Sequence, residues 1–159
     1  MPAPRRPAVP SARAPRAAGG TDGGPGFVGL VCGVAIVAGV LLPWYATNLG
    51  PPFSATSATG WDATTLAKIA LVLGILIAAA SAATAMDERG LLSLSERTAD
   101  ALAWTMVAAS ALAAGLIGYR FLVMPEPAEF LSRQFGLYLA AAASIGGILA
   151  GLGAVAVRD

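Results

Sequence analysis

Four apolar runs of membrane-spanning length constrain this chain more than anything else in it: Phe27 to Ala46, Ala63 to Ala85, Ala99 to Val123 and Phe135 to Val157. Each is close to or above the ~20 residues that a helix needs to cross a hydrocarbon layer about 30 Å thick. Such a layer holds no water to satisfy an unpaired backbone amide, so a chain crosses it as a helix or as a strand of a closed barrel. None of the runs alternates apolar and polar residues with the period of two that a barrel strand requires. They therefore predict an all-α fold, a four-transmembrane-helix bundle whose first partner is the lipid bilayer. Composition agrees, because only 12% of the 159 residues are charged and 57% are hydrophobic. A soluble domain carries about a quarter charged residues, and the mean hydropathy here is +0.72.

The segment before the first run has the opposite character. Residues 1–26 are rich in Pro, Ala, Gly and Arg, with Arg5, Arg6, Arg13 and Arg16 and almost no bulky apolar side chain. A segment of that kind cannot bury enough surface to offset its ordering entropy, so it reads as a disordered basic tail, with residues 27–157 as the membrane domain. A basic start before an apolar run also raises the question of a cleaved secretory signal. The run ends instead in Pro43-Trp44-Tyr45-Ala46-Thr47, without a small-x-small site, and three more runs follow. An uncleaved first helix is the expectation.

Local signals punctuate the runs. Thr59 to Asp62 and Ser93 to Glu96 each place a hydroxyl three residues before a carboxylate, the pattern of a helix start. Gly90 is placed to close the second helix in a left-handed conformation. Pro125 and Pro127 would end the third, since proline lacks the amide hydrogen a helix needs. Arginines fall unevenly about the runs: Arg5, Arg6, Arg13, Arg16, Arg89, Arg97 and Arg158 on one side, Lys68, Arg120 and Arg133 on the other. Cytoplasmic loops carry the excess of basic residues, which predicts both termini in the cytoplasm of a bacterial inner (plasma) membrane, with outer loops at Trp44 to Asp62 and Met124 to Gln134.

Those outer loops gather the residues that could bind something. Trp44, Tyr45, Phe53, Trp61, Tyr119, Phe121, Phe130, Phe135 and Tyr138 crowd one side, with far fewer, Trp104 among them, on the other. An interfacial belt accounts for rings at headgroup level, and an aromatic-lined pocket for a lipid or apolar ligand accounts for the lopsidedness. Asp62, Lys68, Arg120, Glu126, Glu129 and Arg133 supply three charges of each sign. Lys68 lies inside the second run, about 8 Å from Ala63 at 1.5 Å per residue, and must snorkel outward or find a partner. Glu126 or Glu129 is the expected acid. The set thus reads as an ion-pair network clamping two loops, or as an anion or headgroup site built from Lys68, Arg120 and Arg133.

Other chemistry is excluded or poorly supplied. The chain has no histidine and one cysteine, Cys32, so a metal site of ordinary His/Cys type, an intramolecular disulfide and a Cys-His nucleophile are all ruled out. No cofactor is implied. A net charge of +1 with no basic face argues against nucleic acid. Ionisable residues are missing from the middles of the runs, which disfavours a transporter or proton path. Ser81, Thr84, Ser110 and Ser144 are scattered hydroxyls without an acid/base pair, so no catalytic residue is assigned. Small residues recur at intervals of four around Gly29, Gly33, Gly39, Gly115, Gly118, Gly147 and Gly151, the spacing that lets helix backbones approach closely, within the bundle or against a membrane protein partner or second copy.

Leu42-Pro43-Trp44-Tyr45, Gly60-Trp61-Asp62, Tyr119-Arg120 and the entry into the fourth run from Arg133 through Gly136-Leu137-Tyr138-Leu139 resemble a group of small, uncharacterised four-helix membrane proteins of actinobacteria. The resemblance spans residues 26–157 and implies architecture and an outer-face cluster, with no catalytic residue carried over. The expected function is a non-catalytic interaction or assembly component of the cell envelope; the alternative is a component that binds a lipid or apolar anion among Trp44, Trp61, Lys68, Arg120 and Arg133.

Overall fold

A computed structural model describes residues 23–47, 56–126 and 130–157, so residues 1–22 of the basic tail, Phe53, Pro127, Glu129 and Arg158 lie outside the described residues, while Pro25 and Gly26, expected in the tail, are helical. The elements run α1 (Pro25–Leu41), β1 (Pro43–Thr47), β2 (Ser57–Thr59), α2 (Gly60–Ala63), α3 (Thr65–Glu88), α4 (Glu96–Leu122), β3 (Leu131–Arg133) and α5 (Phe135–Ala156). Helices α3, α4 and α5 are long and apolar enough to cross a membrane, while α1 is apolar but shorter, at 17 residues. The four long helices pack in a ring, α1 against α3 and α5, and α4 against the same two.

Expected boundaries move for local reasons. Helix α1 stops at Leu41 rather than Ala46, because Pro43 disfavours helical backbone at the residue before it, and Leu42 sits at φ −83°, ψ 161°. The second run starts as a four-residue turn, α2, before extended Thr64 restarts the chain as α3 two residues later than expected. The Thr59 hydroxyl accepts from the Asp62 amide at 3.3 Å and donates to its carboxylate at 2.7 Å, so the expected cap exists but serves α2. Helix α4 is capped by Ser95, which accepts from the Thr98 amide at 3.2 Å, and not by Ser93. Gly90, at φ +71°, follows α3 as the sequence pattern requires. At the same end Glu88 accepts from the Gly26 amide at 3.1 Å, which brings an anion to the first turn of α1.

The all-α expectation is corrected at the other end, where a three-stranded antiparallel sheet in the order β2-β1-β3 caps the bundle. Strand β1 is central: Tyr45 pairs with Ala58 and Arg133, Ala46 with Ser57 and Ser132, and an irregularity follows Pro43. The described parts of the two connections at this end are thereby tied to each other, β1 pairing on one edge with β2 and on the other with β3.

Alanine fills much of the interior, and large apolar side chains also cover the outside. Ala67, Ala70, Ala103, Ala113 and Ala140 are buried with Ile36, Ile77, Met106, Ile117 and Leu137, while Val31, Val34, Val72, Ile75, Ile145 and Leu149 face outward. Small residues inside let the helices close up where lipid tails supply no hydrophobic drive between them. Two glycine crossings bring helix backbones close together. A Cβ on Gly33 would stand 2.8 Å from the Gly74 carbonyl oxygen and 2.6 Å from the Ala78 amide; one on Gly136 would stand 2.7 Å from the Gly39 oxygen. Gly29 meets Ser81 and Met106, Gly147 meets Ser110, and Gly151 meets the backbone of Val107. Nothing lies within 4 Å of a Cβ at Gly115 or Gly118, so of the two roles expected for them neither fills the one inside the bundle.

Candidate functional site

At the sheet end, the centre is a hydrogen-bonded knot joining three elements. Thr64 is buried between α2 and α3, and its hydroxyl accepts from Arg120 Nε at 3.1 Å and Nη2 at 2.7 Å, and from the Leu66 amide at 3.3 Å. Tyr45, 2% exposed on β1, donates its hydroxyl to the Arg120 carbonyl at 3.0 Å. Arg120 thus binds α3 with its side chain and β1 with its backbone. Burial pushes the Tyr45 phenol up from its ordinary range, against the opposing pull of Arg120 and Arg133. Trp44, one residue earlier and on the other side of the strand, is 1% exposed and donates Nε1 to the Gly39 carbonyl at 2.8 Å.

A second arginine closes the end of α4 on its α5 side. Arg133 Nε donates to the Phe121 carbonyl at 2.9 Å, and its guanidinium lies 5.0 Å from the Phe121 ring centroid. That ring meets Tyr138 edge-on at 5.3 Å. A cation over the last carbonyls of a helix complements its dipole, and over an aromatic face it gains the ring's quadrupole as well. Among the described residues the Arg133 terminal nitrogens donate to no acceptor.

The expected ion-pair network does not form among those of its members that the structure describes. Among the described residues, Asp62, Lys68, Arg120, Glu126 and Arg133 form no ion pair with one another. Lys68 has its ammonium 4.9 Å from the Trp61 ring centroid and is exposed. Because α3 begins at Thr65, Lys68 lies in the first turn and reaches water without an acid. Asp62 is occupied by Thr59. Glu126 is exposed, and Glu129 lies outside the described residues. The belt splits likewise: Trp44 and Tyr45 are core residues, while Trp61, Tyr119, Phe130, Phe135 and Tyr138 remain outward-facing. Arg120 and Arg133 are the pair that the fold does unite, through Tyr45.

An apolar groove of about 350 Å³ opens between α4 and α5 below Arg133, lined by Ala114, Gly118, Phe121 and Leu122 on one side and Ala141, Ser144 and Ile145 on the other. Ser144 adds no free polarity, since its hydroxyl donates to the Ala141 carbonyl at 2.8 Å. Gly118 was expected at a helix contact, and its missing side chain instead hollows the groove floor.

Sequence reasoning missed Thr64 and Gly74, and named Phe121 and Gly136 without the contacts they make here. Thr64 had a signal, a hydroxyl directly before the apolar run, but its pairing with Arg120 joins residues 56 apart. Among the described residues no three His, Cys, Asp or Glu side chains gather where a metal could sit. The chain matches no protein-family model and none of the curated proteins.

Proposed function

We propose that this chain is a non-catalytic, multi-pass component of a bacterial plasma membrane, an interaction or assembly element of the envelope whose working surface is the sheet-capped end. All four long helices cross the bilayer in this reading. Helix α1 supplies about 25 Å at 1.5 Å per residue, and extended β1 carries the chain through the interface. Arg89 and Arg97 flank the α3–α4 turn, and with the basic tail they put that end and both termini in the cytoplasm. The resemblance to small actinobacterial four-helix membrane proteins points the same way.

One observation carries the reading: the arginines of the sheet end are bonded to their own fold, through Thr64 and the Phe121 carbonyl, so that end is a rigid platform presenting Trp61, Tyr119, Phe130, Phe135 and Tyr138. Rigid aromatic surfaces suit docking because little side-chain entropy is lost on contact. Purification in mild detergent tests it. A stoichiometric protein partner, lost on Phe130→Ser with Tyr119→Ser, supports the platform; a monodisperse chain carrying no protein refutes it. A reporter fused after Asp159 that is active only outside the cytoplasm would overturn the orientation.

The apolar groove beneath Arg133 favours a second reading, in which the chain holds a lipid.

A further inference from the structure

We infer that the groove between α4 and α5 is a site for one anionic phospholipid of the leaflet on the sheet side, with an acyl chain along Gly118 and the headgroup phosphate on Arg133. The inference rests on the second reading above and names its ligand.

Three features select this occupant. The first is length: from Ala114 to Leu122 the groove follows α4 for about 12 Å at 1.5 Å per residue. That is close to half of a hydrocarbon core about 30 Å thick, so it fits a chain anchored in one leaflet better than a helix crossing both. The second is polarity. The lining is apolar, and its one hydroxyl, Ser144, is already bonded within α5. The third is the charge at the mouth. Phe121 is both a wall of the groove and the ring under Arg133. The Arg133 Nε is held by the Phe121 carbonyl, which leaves the forked terminal nitrogens as donors at the level where the helix ends. A phosphate oxygen pair matches that fork. Arg120, the residue before Phe121 in α4, adds positive potential, and among the described residues neither arginine meets a carboxylate. Tyr138, edge-on to Phe121 and outward-facing, places a phenol beside the same mouth.

Native mass spectrometry of the intact chain, titrated with dioleoyl phosphatidylglycerol and dioleoyl phosphatidylcholine, tests this. The first phosphatidylglycerol should bind about fivefold tighter than phosphatidylcholine, the gain expected from one arginine at a membrane surface. Arg133→Met should bring the two lipids to equal affinity, and Arg133→Lys should keep part of the preference. Gly118→Leu, at a position open to the outside, should weaken both lipids without changing their ratio. Retention of neither lipid by the wild type refutes the second reading itself. Equal binding of both lipids, a preference that survives Arg133→Met, or displacement by glycerol phosphate as effective as by the whole lipid would overturn the inference alone.

Discussion

Thr64→Val removes one oxygen from the centre of the sheet-end knot while keeping the side chain's shape. That oxygen accepts two hydrogen bonds from a guanidinium, at 3.1 and 2.7 Å, and one from the first turn of α3 at 3.3 Å. Bonds to a charged donor contribute about 1.5–3 kcal/mol, and the half-buried Arg120 can regain some water, so the lower end applies. Loss of the cap adds about 1 kcal/mol. The expected destabilisation is therefore about 2.5 kcal/mol. Thr64→Ser keeps the acceptor and loses only a buried methyl, about 0.8 kcal/mol. Equilibrium unfolding in mixed micelles, followed by near-ultraviolet circular dichroism, reads both. In a double-mutant cycle with Arg120→Met, the two sites should couple by more than about 1 kcal/mol. If Val and Ser are indistinguishable, or the cycle is additive within about 0.3 kcal/mol, Thr64 does not hold Arg120 and the account of this end is wrong.

Gly33→Val should cost more than about 3 kcal/mol in the same assay, because its Cβ would meet the backbone of α3 rather than a side chain that can move, whereas Gly115→Val should fall within about 0.5 kcal/mol of wild type. Trp44→Phe should lose about 1–2 kcal/mol, the bond to the Gly39 carbonyl together with part of a fully buried ring. Tyr45→Phe should cost about 1 kcal/mol at neutral pH. It should also flatten an alkaline decline: the folded phenol titrates above its ordinary value, so its contribution is complete below pH ~10 and fades as pH rises through the higher folded value. A Tyr45→Phe profile parallel to wild type above pH 10 would contradict the buried-donor geometry.

Four long apolar helices, three of them long enough to cross a membrane, and the end of the bundle where most of the aromatic residues collect were legible from order alone, because hydropathy over about 20 residues is a local property. Gly90 and the Thr59 cap were legible for the same reason, since a left-handed turn and a side-chain cap involve only neighbours. The end of α1 was legible as well, through Pro43, had the restriction on Leu42 been weighed against the apolar run. Tertiary structure alone decided the rest. Whether Arg120 found a carboxylate or the Thr64 hydroxyl depended on which helix ends met, and whether Gly33 or Gly115 closed a contact depended on how each helix was rotated. The sheet was hidden because strands of three to five residues carry too little pattern, and β1 gains its partners only when helices fold β2 and β3 to its edges. Spacing fixes which residues share a helix face, but the neighbour that face meets is set by packing across the whole bundle.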